Sequence, residues 1–309
     1  MRRALVFLLC AGTTLAGEPK PVPRMQAVPQ PHHEVSFQRE GTEIARYFFG
    51  DGNERPFVFP IIGPSGRSLT RMGHPRDHET HSHHNSVWLS HQSVNATNFW
   101  EDRGGRIVHV KVLRFEDRGD ESFIESENVW QDKDGKPLLR ELRRTAVRLL
   151  PHDEWWLTID TQLEARDAEV VLGQTAFGMI GVRMAKTIGV NDGGGTIRNS
   201  AGGIDEAGCF RKPARWCDYS GPIAPNVVEG ITLMDHPMNL NHPVPFHVRN
   251  DGWMGASLTF AAPHTITPGE PLRLRYGLSG HAGMPPMEAI EARWEEFAKS
   301  TFAEVSSKK

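Results

Sequence analysis

The sequence predicts a mostly β protein: a large antiparallel two-sheet β-sandwich followed by a C-terminal helix. Three observations carry that expectation. Apolar and polar residues alternate at period two over strand-length runs, and turn dipeptides separate those runs. Gly (30) and Pro (22) are abundant in 309 residues, which favours many short connections over long helices. A chain of this length suits one large β domain and buries a sizeable core without staples.

In chain order, Arg2 and Arg3 precede a short apolar run, Ala4 to Ala16, that cannot span a bilayer. Residues 1–16 therefore read as a signal peptide, which predicts an exported protein, periplasmic or extracellular, with no integral membrane segment in the mature chain. Residues 17–34 are rich in proline and read as an irregular leader, with ordered structure starting near Val35. Residues 35–309 form a single β-sandwich domain. Glu40-Gly41 is the turn of a first hairpin. The runs RIVHVKVLRFED, DESFIESENVWQD and EWWLTIDTQLEA follow, with Gly119-Asp120 and Asp134-Gly135 as turn signals. LLRELRRTAVRLL suits a helix or a strand; its neighbours and the closing Pro151 favour a long strand. VVEGITLMDHP, GASLTFAAP and PLRLRYGLSGH add strands towards the C-terminus. One helix is expected after Pro285 and Pro286, where Ile290, Trp294 and Phe297 recur about one turn apart.

The formal charge of −3 gives no basic field, which excludes nucleic acid as an expected partner. There is no P-loop, no G-x-S-x-G elbow and no H-E-x-x-H. Cys209 and Cys217 are close enough in sequence to pair in an oxidising compartment, and equally fit two separate buried thiols.

The chemistry is concentrated in histidines. Five of the fifteen lie between His78 and His91, in HETHSHHNSVWLSHQ. On a strand, His81 and His83 would share one face and His84 the other. Two imidazoles on one face can begin a metal site or an acid–base site. A second cluster, MDHPMNLNHPVPFHVRNDG, holds Asp235, His236, His242 and His247, stiffened by prolines. Loops at one end of a sandwich would bring His236 and His247 to His81 and His83. The candidate ligands of a possible divalent metal ion are His81, His83 and His236. Between the clusters, RWCDYSGPI sets Trp216, Asp218 and Tyr219 together. That mixture suits a sugar site, in which aromatic faces stack on a ring and carboxylates move protons. Trp88, Trp100 and Trp253 suit the same role.

HHNSVWLSHQSVNATNFWED resembles a segment of the family labelled "methane oxygenase PmoA". FGMIGVRMAKTIG, GGTIRNSAGG, ARWCDYSGPI, GITLMDHPMNLNHPVPFHVRNDGWMGASL and LRLRYGLSGHAG resemble later blocks of it, in the same order. The resemblance implies an exported β-sandwich like the mutarotase supersandwich, in a family whose members accompany polysaccharide-degrading systems. It implies functional positions at His83, His84, Trp88, Trp100, Arg183, Asn199, Trp216, Asp218, Tyr219, Ser220, Asp235, His236, Pro237, His242, His247 and His281.

The expected function is that of a carbohydrate-active enzyme acting on a sugar or oligosaccharide by hydrolysis, elimination or epimerisation. His83, His84, His236 and His247 would move protons, Asp218 would be their carboxylate partner, and Arg183 or Tyr219 would steady an oxyanion. Trp88, Trp100, Asn199, Trp216, His242 and His281 would hold the substrate beside them. Two other readings are a metal-dependent oxygenase, as the family label implies, and a non-catalytic glycan-binding module.

Overall fold

The computed structural model describes residues 21–74, 76, 81–303 and 305. The expected signal peptide and His78 lie outside the described residues. The chain opens with β1 (Met25–Gln30), β2 (Glu34–Arg39), β3 (Thr42–Phe48), β4 (Phe57–Ile61) and β5 (Val87–His91). Four long strands follow: β6 (Arg106–Arg118), β7 (Glu121–Gln131), β8 (Pro137–Leu149) and β9 (Trp155–Ala165). Next come β10 (Val170–Leu172), β11 (Gly178–Arg183), the helical turn α1 (Val190–Gly193), β12 (Thr196–Asn199) and the short α2 (Asp205–Cys209). β13 (Lys212–Pro213), β14 (Trp216–Ala224) and β15 (Val227–Asp235) lead to β16 (Pro245–Arg249) and β17 (Trp253–Ser257). β18 (His264–Ile266), β19 (Leu272–Ala282) and α3 (Met287–Ala298) complete it.

The strands form the expected two-sheet sandwich. One sheet has nine strands in the order β1-β2-β3-β4-β5-β11-β17-β16-β13; the other has eight, in the order β12-β14-β15-β19-β9-β8-β7-β6. Alternation decides which side chains face inward. Leu89, Ile180, Val182, Val248, Met254 and Ala256 from the first sheet meet Leu157, Ile159, Ile231, Leu233, Leu274 and Leu278 from the second in one buried core. On the outer face of the eight-stranded sheet, Trp156, Trp216 and Met234 are covered by Ile290 and Phe297 of α3. On the outer face of the nine-stranded sheet, Phe57, Trp88, Trp100 and Trp253 form a separate aromatic cluster.

The turns fold as their residues dictate. Glu40 and Gly41, at φ 51° and 83°, make the hairpin between β2 and β3. Two tandem left-handed residues match the twist of paired strands. LLRELRRTAVRLL is β8, paired on both sides by β7 and β9. The leader is the exception. Residues 25–30 are not irregular but form β1, the edge strand of the nine-stranded sheet, paired from Met25 opposite Arg39 to Gln30 opposite Glu34. Pro29 fits within it because an edge strand has one side free of ladder hydrogen bonds. Cys209 and Cys217 are both buried and free; burial pushes the Cys209 thiol up to about 12. Among the described residues, no helix is long and apolar enough to cross a membrane.

A cross-strand row prepares the site. Phe57 lies opposite Trp88, Trp88 opposite Gly181, Gly181 opposite Gly255, and Gly255 opposite His247. Directly opposed residues share a face. The two glycines leave a hollow in the middle of that face, and the indoles lean into it. A Cβ on Gly181 would lie 2.6 Å from Trp253 Cη2 and 2.9 Å from Trp88 Cζ2. Gly181→Val is therefore expected to lower stability by about 1–3 kcal/mol through overpacking. Urea denaturation checks the stability, and near-ultraviolet circular dichroism checks that the displaced indoles change the spectrum.

Candidate functional site

The outer face around this row carries a cavity of about 260 Å³. Its histidine wall is His74, His81, His84 and His247, and its aromatic lining is Phe177 and Trp253. Arg183, Arg249 and Asp251 provide the charges. Register explains the convergence. Arg183 at the end of β11 lies opposite Trp253 at the start of β17, which lies opposite Arg249 at the end of β16. Asp251 sits in the turn between β16 and β17, and His247 enters from the neighbouring row.

The loop before β5 supplies the other histidines. The rings of His83 and His84 lie 4.6 Å apart, His81 and His84 5.0 Å, and His74 and His81 4.8 Å. The His84 ring stacks on both indoles, 5.3 Å from Trp253 and 5.6 Å from Trp88. One buried guanidinium organises the loop. Arg55 Nη1 donates to Asn85 Oδ1 (2.6 Å) and to the His83 carbonyl (3.4 Å). Its Nε donates to the Phe99 carbonyl (3.2 Å), and Nη2 to the Glu101 carbonyl (3.0 Å) and Asp102 Oδ1 (3.2 Å). Arg55 thus joins the histidine loop to the loop that carries Trp100. Tyr219 supports the opposite wall from beneath. It belongs to the other sheet, and its hydroxyl accepts from the Gly252 and Val190 amides and donates to the Arg249 carbonyl.

Burial sets the protonation states. It lowers the pKa of His83 to about 4, with Arg55 adding to the effect. It lowers His84 to about 2, with help from His83 and Arg183, and His247 to about 4, with help from Arg249 and Arg211. All three are neutral imidazoles at pH 7. Burial would raise the pKa of Asp251, but Arg183 and His74 outweigh it and hold the carboxylate ionised. Arg183 Nη1 donates to Asp251 Oδ1 (2.8 Å), and His74 Nε2 lies 2.9 Å from Oδ2.

Several buried polar atoms here have no hydrogen-bond partner: both ring nitrogens of His247, His84 Nδ1, Arg183 Nε and Nη2, and the indole nitrogens of Trp88 and Trp253. Native interiors leave few such groups unpaired, and a catalytic role is one recognised reason for them.

The structure brings His81, His83, His84, Trp88, Trp100, Arg183 and His247 to this region. His83 and Trp100 stand behind the lining and support it. The others named from sequence lie elsewhere. Asp218 and His281 are on the outer face of the eight-stranded sheet, across the sandwich. His281 Nε2 lies 2.8 Å from Asp218 Oδ1, and Arg198, Ser220 and Thr232 donate to the same carboxylate. Trp216 is covered by α3, with its indole donating to Glu291. His236 directly follows β15, and its ring is held by the Ser300 carbonyl and the Met238 amide. His242 bonds Asp235 (2.8 Å) and stacks on Trp294. Asn199 accepts from the Ala201 and Gly203 amides within its own turn. His81, His83 and His236 are therefore not one ligand set, because His81 and His83 precede β5 of the nine-stranded sheet and His236 follows β15 of the eight-stranded one. Among the described residues, no three His, Cys, Asp or Glu side chains are grouped to hold a metal ion. Arg55, His74, Phe177, Arg249 and Asp251 were missed from sequence. Arg249 and Asp251 sat inside the second cluster, in HVRNDG, and His74 in GHP, but nothing local marks Arg55 or Phe177.

No curated protein matches the chain. Among solved structures, it is similar to one titled "Putative kojibiose phosphorylase from human microbiome". The identity is 10% and the TM-score 0.37, over 92% of this chain and 38% of that one. The chain thus spans well under half the length of that protein. The resemblance to the family labelled methane oxygenase PmoA is corrected by the family match, which covers residues 34–295 and is to a different description. The chain belongs to DUF6807, a family of unknown function.

Proposed function

We propose that this is an exported carbohydrate-active enzyme that moves a proton on a single sugar ring. One observation carries the reading: neutral His84, with Nδ1 unpartnered, and neutral His247, with both ring nitrogens unpartnered, line the same cavity as Arg183. A neutral imidazole can accept a proton. A buried guanidinium beside it steadies the negative charge that builds on an oxygen. Phe177 and Trp253 offer the apolar surface that a sugar ring's C–H face needs. At about 260 Å³ the cavity lies below the roughly 300–1,000 Å³ typical of drug-sized ligands, so it suits one ring better than a chain.

The carboxylates narrow the reaction. Glycoside hydrolysis usually employs two carboxyl groups across the scissile bond. Among the described residues, this cavity is lined by one, Asp251, already held by Arg183 and His74. A histidine base with an arginine stabiliser favours elimination or epimerisation over hydrolysis. The mature protein, incubated with a panel of mono- and disaccharides and their oxidised derivatives, is expected to yield an unsaturated or epimerised product. Nuclear magnetic resonance in deuterium oxide reads both, since a proton removed and returned leaves deuterium on carbon. Saturable binding with no exchange or product on any member would favour the binding-module alternative.

A further inference from the structure

We infer that the sugar taken by this cavity carries a carboxylate, and that Arg183 grips it through the Nε–Nη2 edge of its guanidinium. The inference rests on the sugar reading above and specifies its substrate class.

Arg183 is fully buried and lines the cavity. Its Nη1 is used, donating to Asp251 Oδ1 at 2.8 Å. Its Nε and Nη2 have no partner. In a planar guanidinium these two nitrogens lie on one edge and present parallel N–H bonds. That fork matches the two oxygens of a carboxylate, and bidentate pairing of this kind is a preferred arrangement for arginine. The pairing with Asp251 fixes the plane of the group, so the open edge is presented in one orientation. A hydroxyl would satisfy one of the two donors; a carboxylate satisfies both.

Charge points the same way. The imidazoles of His84 and His247 are neutral at pH 7, so they do not offset an anion's charge or supply one. Arg183 is paired with Asp251, and Arg249 with Glu206. Arg71, whose amide donates to the Arg183 carbonyl at 3.0 Å, brings another guanidinium that has no ion pair among the described residues. Burial and repulsion from Arg183 push its pKa down, and Asp192 offsets part of that. A phosphate ester brings close to two negative charges beside Asp251, and a carboxylate brings one.

A carboxylate on the ring also suits the proton transfer. A C–H next to a carboxylate becomes more acidic when that carboxylate is neutralised by a paired guanidinium, and His84 and His247 line the same space.

The test is titration calorimetry of the whole mature protein with glucuronate, glucose and glucose 6-phosphate. Glucuronate is expected to bind at least tenfold more tightly than glucose, and glucose 6-phosphate no better than glucose. Arg183→Lys keeps the charge but loses the fork, and is expected to remove the preference for glucuronate over glucose. Thermal denaturation establishes that the variant is folded; if it is not, the wild-type preference decides the case. Equal binding of glucose and glucuronate overturns this inference and leaves the sugar reading standing. Tighter binding of the phosphate ester overturns the choice of carboxylate. A folded Arg183→Lys that keeps the preference overturns the role of Arg183. Binding of none of the three overturns the sugar reading and this inference with it.

Discussion

His247→Ala is expected to lower kcat by about 10²–10⁴, the usual contribution of a positioned acid or base. His84→Ala should fall in the same range. His247 projects from β16 into the cavity between Phe177 (4.9 Å) and Phe210 (5.1 Å), and neither ring nitrogen is engaged. A side chain held by packing alone, with both nitrogens uncommitted, is one whose bonds are left for a ligand. Burial lowers its pKa to about 4, so it loses its neutral form only in acid. The acidic limb of kcat/KM is therefore expected near pH 4 rather than near the ordinary histidine value of about 6.5. His236→Asn is the contrast. Both nitrogens of that ring are committed, to the Ser300 carbonyl and the Met238 amide, so its loss should reduce stability and leave kcat unchanged. Retained kcat in a folded His247→Ala would remove histidine chemistry from this cavity.

Asp218→Asn is expected to cost about 3–5 kcal/mol of stability, the range for removing one partner of a buried ion pair. Asp218 is fully buried and receives Arg198 Nη2 at 2.7 Å, with His281, Thr232 and Ser220 each at 2.8 Å. Burial alone would raise its pKa, but His281 and Arg198 outweigh it and hold the carboxyl well below the usual carboxylate range. A depressed folded pKa stabilises the protein at pH values above the unfolded value of about 3.9. That stabilisation is lost as pH falls through the folded pKa, so the wild type should lose it only in strong acid. The asparagine variant should lack it at neutral pH. Urea denaturation at pH 7 measures the difference. Activity per folded molecule should be unchanged, because the network lies across the sandwich from the cavity.

The β architecture was legible because alternation and turn chemistry are local signals. Glu40-Gly41 and Asp134-Gly135 declare their hairpins without reference to anything distant. β1 was not legible, because four of the five prolines at 17–34 flank it and only Pro29 lies within; nothing local shows that β2 waits to pair with it. The site was half legible. Residue type identifies His84 and His247 as chemically able, but it does not reveal which sheet a strand joins. His236 and His247 are eleven positions apart, yet the chain between them crosses from the eight-stranded sheet to the nine-stranded one. Asp218 and Tyr219 are adjacent and face opposite ways, one outward to His281 and one inward to the turn holding Asp251. Arg55 lacked any signal, since its importance comes wholly from partners 28 to 47 positions away.

Arg55 gives the site a particular dynamic character. A single guanidinium closes hydrogen bonds to residues of both the 83–85 and the 99–102 segments, so neither can lift away without breaking bonds that hold the other. The two segments then share one opening free energy and behave as a cooperative unit in local unfolding. Their amides would exchange with solvent together, and a ligand that tightens one would slow exchange in both.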